Sequence, residues 1–365
     1  MTRSFDVVVI GSGPAGQKAS IQAAKTGQTV AIIEQDRMLG GACVHRGTIP
    51  SKTLRENAMR VRAMRQNAAL SNFQLAEDTE LGTLIDRLGI VLEAHDKYMQ
   101  RQIERNKIEV IHGRARFIDP HNLRVDMVSG DSFDLEARIV VIATGSYPRT
   151  PGNIPVDHEN ILDSDSILSM LYLPKSLTVL GGGVIASEYA SIFQALGTHV
   201  TMIDRYPSPL GFLDEDLTAT FTQAFENNGG TWMGSTELDN IYWDGISQVV
   251  VETKDGRLVK SEKLLCAAGR QANVSHLKLE NAGLALNDKG LISVDDYLRT
   301  AVENIYAAGD VIGPPSLASA SMEQGRRARC NALGIKTGAM SHMIPSGIYA
   351  IPELSSVGLT EKQAR

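Results

Sequence analysis

Two stretches of this chain repeat one pattern. "FDVVVIGSGPAGQKASIQAAKTGQTVAIIE" runs from Phe5 to Glu34, and "LTVLGGGVIASEYASIFQALGTHVTMID" from Leu177 to Asp204. Each is an apolar run, a glycine turn, a small-residue helix, a Gly break, a second apolar run and a terminal acid. That order reads as a βαβ unit. Gly11 and Gly181 are 170 residues apart, and so are Glu34 and Asp204. One GxGxxG is weak. Two copies, each between a strand and a helix with an acid 23 residues past the first glycine, are specific for dinucleotide binding. Gly11 and Gly181 allow the tight turn. Gly13 and Gly183 let backbone approach a pyrophosphate. Gly16 lets the helix pack on the strand, and Ala186 stands at that position in the second copy. The helix N-terminus then offers unpaired N–H groups and a positive dipole end to the phosphates. Glu34 and Asp204 end their second strands, where a carboxylate can accept bonds from a ribose diol.

The repeat extends further. "LRVDMVSGDSFDLEARIVVIATG" is a hairpin leading into a buried strand, and "VVVETKDGRLVKSEKLLCAAG" does the same around Asp255-Gly256. Glu34 to Gly145 is 111 residues and Asp204 to Gly269 is 65, so the first copy carries about 46 more. These hold two amphipathic patterns, one with Leu54, Ala58, Val61 and Met64, the other with Leu84, Leu88, Leu92, Tyr98 and Ile103. The insertion begins with "GGACVHRGTIPSK". A third glycine site, "TAVENIYAAGDVIG", is a strand running into Gly309-Asp310, followed by a helix from about Ser316. At 365 residues the chain is too long for one ordinary core. The fold expected is α/β, with two Rossmann-like domains, the second inserted in the first and each with a β-hairpin excursion. The domains expected are 1–150 and 270–342 (first domain), 151–269 (second), and 343–365 as the start of a third.

Composition excludes several classes. Apolar residues make 43% and charged residues 21%, a soluble globular balance. A net charge of −6 offers no basic face for nucleic acid. No run of 18 apolar residues suggests a membrane span, and a strand starting at Phe5 leaves no room for a signal peptide. With only Cys43, Cys266 and Cys330, a disulfide scaffold is excluded and a reducing cytoplasm is expected. Cys43 and His45 do not have a zinc spacing, and no metal is expected.

The order GxGxxG, GGxC…PSK, ATG, a second glycine turn and T…YAxGD resembles the FAD-dependent pyridine nucleotide-disulfide oxidoreductases, typified by glutathione reductase and dihydrolipoamide dehydrogenase. The resemblance covers the whole chain in order. "GTIPSKTLRE", "DSDSILSM", "GDVIGPPSLASA" and "IPSGIYAIPELSSVGLTE" are similar to the family's soluble transhydrogenase branch. In the disulfide reductases two cysteines five residues apart relay electrons from flavin to a disulfide. Here Thr48 stands at the second, flavin-side position, and it forms neither disulfide nor thiolate. The resemblance therefore implies hydride exchange between NAD(H) and NADP(H) through FAD, without a redox-active disulfide. An NAD(P)H oxidase, a quinone or dihydrolipoamide-type reductase, and an FAD-binding module without turnover are the alternatives.

The resemblance also implies roles. Gly11, Gly13, Gly16 and Gly41 would hold the FAD pyrophosphate region, Glu34 the adenosine ribose, and Ala115 the adenine by backbone. Thr144 and Gly145 would close on the cofactor. Asp310 would accept a bond from the ribityl chain; its alternative reading is a helix N-cap. The helix from about Ser316 would aim its N-terminus at the flavin pyrimidine edge. Lys52 and Glu188 would pair beside flavin N5, their alternative being a surface pair. Cys43 would keep a backbone role in the FAD loop or be a small buried hydrophobe. Val184 would stand where many disulfide reductases have an aromatic gate. Gly181, Gly183, Glu188, Asp204, Arg205 and Gly269 would serve NAD(P). Asp204 favours a 2′-hydroxyl and Arg205 a 2′-phosphate, unless Arg205 is simply solvated. The family continues into an interface domain that makes most of a homodimer contact. The segment after about Pro345 is expected to begin that domain, and to lie loose or pair with another chain.

Overall fold

The computed structural model describes residues 3–66, 81–338, 340–341 and 343–365. They form two compact units. The first comprises residues 1–45, 91–147 and 271–344, the second 46–90, 148–270 and 345–365.

The first unit is built on parallel strands in the order Glu109–Phe117, Val30–Glu34, Arg3–Ile10, Ser132–Ile142, Ile305–Ala307. Asn122–Met127 pairs antiparallel with Glu109–Phe117 and with the start of Ser132–Ile142. Val30–Glu34 is buried on every residue, as expected of a strand covered on both faces. The core gathers Val8, Ile33, Phe117, Leu123 and Ile142. Helix Pro14–Ala24 packs against helix Ala318–Ala332 so closely that a Cβ on Gly325 would sit 2.0 Å from the Ala15 carbonyl oxygen.

One turn beyond Gly325, the Arg329 side chain is fully buried. Among the described residues Nε, Nη1 and Nη2 have no hydrogen-bond partner. Burial, reinforced by the charge of Arg138, draws its pKa down from the usual guanidinium range to about 10. A basic group with a folded pKa below its unfolded value destabilises the fold at every pH below about 10, and the penalty fades only as pH rises past that point. The gap corresponds to about 3 kcal/mol. Arg329→Met, which keeps bulk without charge, should stabilise the cofactor-loaded protein at neutral pH by about 1–3 kcal/mol. Thermal unfolding reads this as a midpoint several degrees higher; an unchanged or lower midpoint would mean that the guanidinium has a partner in solution.

The second unit has five parallel strands in the order Thr231–Met233, His199–Ile203, Ser176–Leu180, Lys263–Cys266, Ile161–Asp163. Its excursion is the antiparallel sheet Leu238–Trp243, Val249–Thr253, Leu258–Ser261. Fully buried Phe193, Phe221 and Phe225 anchor its core. Residues 46–90, expected with the first domain, group here because Leu54, Ala58 and Val61 of helix Thr48–Gln66 pack into the same cluster as Tyr189 and Phe193. Met64, expected on that apolar face, is half exposed. In helix Leu81–Arg105, Leu84, Leu88 and Ile103 are buried, but Tyr98 is exposed and Met99 is buried instead. Seven residues past Leu92 the helical spacing reaches position 99, and four more reach 103, whereas 98 lies about a quarter turn from 99.

The segment after Pro345 lies neither loose nor unpaired. Ser346–Ile348 and Leu354–Ser356 make a small antiparallel hairpin, and Ile348, Ala350, Ile351 and Leu354 are buried in the second unit's core.

Candidate cofactor and dinucleotide sites

In the first unit, Gly11 has φ +100°, and a Cβ there would lie 2.4 Å from the Ala143 carbonyl oxygen. A Cβ on Gly16 would lie 1.9 Å from the Gly11 carbonyl oxygen. Gly13 instead faces open space. Helix Pro14–Ala24 starts there with no side-chain cap, so its first-turn N–H groups remain available to a ligand. Gly41, at φ +60°, backs onto this opening; a Cβ on it would come 3.1 Å from the Gly13 Cα. Glu34 is buried. Its Oε2 accepts from the Ser12 N–H at 2.9 Å and hydroxyl at 2.6 Å, and its Oε1 from the Asp36 N–H at 2.9 Å. The Ser12 hydroxyl in turn accepts from the Gly40 N–H at 3.0 Å, tying the Gly40-Gly41 loop to the glycine turn.

Cys43 is half-buried on the short helix Gly41–His45. Ala115 is buried in mid-strand opposite Val125. After strand Ser132–Ile142, the Thr144 hydroxyl is buried without a hydrogen-bond partner among the described residues. A buried hydroxyl left in that state is costly unless a ligand satisfies it. Gly145, at φ +69°, is open to space. Asp310 Oδ2 accepts from the Ser146 hydroxyl at 2.7 Å, and Gln324, buried in helix Ala318–Ala332, holds the preceding Gly309 N–H at 2.9 Å. The open cradle at Gly13, the uncapped helix start and the orphaned Thr144 hydroxyl together fit a bound dinucleotide such as FAD.

The second unit repeats the cradle with one change. Gly181 has φ +116° and would clash through a Cβ with the Ala267 carbonyl oxygen at 2.6 Å; Gly183 is open, and helix Val184–Leu196 starts uncapped. Ala186 is buried at the third position, 3.8 Å from a Cβ built on Gly181. Asp204 Oδ1 accepts from the Tyr206 N–H at 3.0 Å. Its Oδ2 lies 3.1 Å from a Cβ built on Gly182, so the carboxylate reaches the glycine turn. Arg205 is exposed, with its guanidinium 4.8 Å above the Tyr206 ring and donating to the Tyr206 hydroxyl at 2.9 Å. Gly269, at φ +106°, is open, and its carbonyl accepts from the Arg149 N–H at 2.9 Å.

The same unit holds the charged pair. Lys52 Nζ lies 2.6 Å from Glu188 Oε2, and the Glu188 side chain is only 7% exposed. Lys52 stands one turn into helix Thr48–Gln66, which Thr48 opens with an exposed side chain; Val184, at the start of Glu188's helix, is half-buried. Ser12, Ser146, Gln324 and Tyr206 were not singled out in the sequence. Ser12 could have been, since a hydroxyl inside the glycine turn can reach the strand-end acid.

Among the described residues, no group of three or more His, Cys, Asp or Glu could hold a metal ion, and no helix is long and apolar enough to cross a membrane. A family model described as pyridine nucleotide-disulphide oxidoreductase matches residues 5–325. The soluble pyridine nucleotide transhydrogenase of Mycobacterium tuberculosis (strain ATCC 25177 / H37Ra) is 41% identical over 361 residues, 98% of this chain and 77% of that protein. Its namesake from Marinomonas sp. (strain MWYL1) is 40% identical over 362 residues, 99% of this chain and 78% of that protein. Among solved structures, LpdA from Mycobacterium tuberculosis superposes with a TM-score of 0.90 at 29% identity, covering 99% of this chain and 79% of that one. The HOCl-induced flavoprotein disulfide reductase RclA from Escherichia coli gives 0.85 at 30% identity, with the same coverage. The chain therefore belongs to the pyridine nucleotide-disulphide oxidoreductase family, and is an oxidoreductase that uses FAD and a nicotinamide dinucleotide.

Proposed function

We propose that the protein exchanges hydride between NADPH and NAD, and between NADH and NADP, without a redox-active disulfide. The observation that carries this reading is Thr48, which stands where a disulfide reductase needs its second cysteine. The other two thiols give no substitute, since Cys266 and Cys330 are both buried and burial pushes the Cys266 thiol pKa up. Bound flavin supplies a two-electron carrier able to accept hydride from one nicotinamide and release it to another.

The chain's own residues bind and orient. Gly13 and Gly41 leave room for a diphosphate at the helix start, where N–H groups and the dipole favour negative charge. Glu34 keeps acceptor capacity on Oε1 for a ribose hydroxyl. Asp310, held by Ser146, presents a fixed acceptor to the polyol chain. Thr144 donates its hydroxyl to the cofactor. By the family resemblance, the Lys52 ammonium paired with Glu188 would stand beside the flavin ring, where a positive charge favours negative charge arriving on it.

In the second unit Asp204 suits a free ribose diol and Arg205 a 2′-phosphate, so each dinucleotide has a partner. The protein acts in the cytoplasm, as a homodimer when the family's interface domain is present.

Reduction of thio-NAD by NADPH tests the reading, together with Arg205→Ala. The wild type should turn over thio-NAD. The variant should bind NADPH about tenfold to a hundredfold more weakly while NADH is little affected, because one charge-assisted contact is lost. NADPH oxidation by oxygen or a quinone with no thio-NADH formed would replace transhydrogenation by a reductase reading. Equal losses for both dinucleotides would make Arg205 a solvated side chain.

A further inference from the structure

We infer that Tyr349 is a positioning residue for the Lys52–Glu188 pair, so that the segment after Pro345 belongs to the reactive centre. This rests on the reading of that pair given above. Glu188 has two oxygens to satisfy in a nearly dry environment. Lys52 takes Oε2 at 2.6 Å. The backbone N–H of Tyr349 donates to Oε1 at 2.9 Å. With both oxygens engaged the carboxylate cannot rotate without leaving a donor unsatisfied. The cation also lies over the Tyr349 ring, with Lys52 Nζ 4.8 Å from the ring centroid. An ammonium at that distance is drawn to the electron-rich ring face. A Lys side chain has four rotatable bonds; carboxylate and ring together hold it in one arrangement.

Three contacts keep Tyr349 in place. The Ala350 carbonyl accepts from Arg55 Nε and Nη2 at 3.3 and 3.2 Å. The Ile351 N–H donates to the Ser191 hydroxyl at 3.0 Å, one turn beyond Glu188, and that hydroxyl donates to the Ser187 carbonyl at 2.8 Å. Arg55 also ion-pairs with Glu353. The first two contacts fix the backbone at 350–351 through main-chain atoms, which any side chain at 349 would allow. The ring is the one side-chain contribution of residue 349 to the pair.

The test uses the FAD-loaded protein with lysines labelled with carbon-13 at Cε, Lys52 being assigned by its absence in Lys52→Arg. A proton beneath an aromatic face is shifted upfield, so the Lys52 Hε signal should be displaced in the wild type. Tyr349→Leu should return it to the random-coil position and slow flavin reduction by NADPH about threefold to thirtyfold, with NADPH affinity unchanged. Tyr349→Phe, which keeps the ring and the backbone, should restore both the shift and the rate. The proposal is overturned by an unshifted Lys52 signal in the wild type. It is equally overturned by Tyr349→Leu reducing at the wild-type rate, or by Tyr349→Phe behaving like Tyr349→Leu. Failure of thio-NAD exchange alone would strike the transhydrogenase reading and leave this one standing, because the shift and the first half-reaction do not involve a second dinucleotide.

Discussion

Gly16→Ala should yield a protein that purifies largely without FAD and unfolds at a lower temperature. The added methyl would lie 1.9 Å from the Gly11 carbonyl oxygen and 3.3 Å from Val9 Cγ1, while Gly11 is itself pressed against Ala143. The clash is with backbone of the turn that directly follows strand Arg3–Ile10, which cannot swing aside as a side-chain tip could. Helix Pro14–Ala24 must move out, and the cost of such overpacking is about 1–3 kcal/mol. The same movement displaces the open N-terminus at Gly13 from the Gly41 loop, so FAD affinity should fall at least about tenfold. The second copy is the control. Ala186 already carries the methyl there, 3.8 Å from a Cβ built on Gly181, and Ala186→Gly should keep nicotinamide dinucleotide binding, at about 1 kcal/mol in helix propensity. Flavin-to-protein absorbance ratios and thermal unfolding check both variants. Gly16→Ala purified with full FAD and an unchanged midpoint would show that the helix can slide at no cost.

The contrast between these two positions also shows what could be read from the sequence. In a glycine turn the residue type is the geometry, because only the missing side chain permits the turn, the approach and the helix packing. Gly11, Gly16 and Gly181 therefore announce their contacts at fixed spacing. Gln324, Ser146 and Tyr349 are ordinary residue types whose partners lie elsewhere in the chain; Ser146 meets Asp310 across 164 residues, and Tyr349 meets Glu188 across 161. No local pattern encodes such a meeting. Amphipathic periodicity has the same blind spot. Leu54, Ala58 and Val61 mark a buried face correctly, but a face does not say which core it covers, and 46–90 join the second unit. Nor does strand character at "GIYAI" say that Ile348 and Ile351 pack against a helix of the same chain. The Lys52–Glu188 pairing was reachable only through resemblance, since nothing in the spacing of 136 residues requires it.

Lys52→Met should slow reduction of the bound flavin by NADPH about a hundredfold, the range seen when a preorganised charge facing the reaction is removed. It should also destabilise the second unit, because Glu188, 7% exposed, is left with the Tyr349 amide as its remaining donor. A fully buried pair broken in this way costs about 3–5 kcal/mol. The Lys52 side chain is 29% exposed, so water can reach part of the gap and a smaller loss is expected here. Stability and chemistry can be separated with a double variant. Lys52→Met combined with Glu188→Leu removes the stranded carboxylate, and the thermal midpoint should return toward the wild type, as apolar replacements of buried pairs often do. The flavin-reduction rate should stay low, because no cation has been restored. Glu188→Gln gives the intermediate case, since its amide oxygen can still accept from Lys52 but no longer offsets the charge. Stopped-flow reduction by NADPH and thermal unfolding of the four proteins decide the matter. If the double variant recovers rate along with stability, the pair is a strut between two helices and the chemistry lies elsewhere. If Lys52→Met alone keeps the wild-type rate, the cation has no part in hydride arrival.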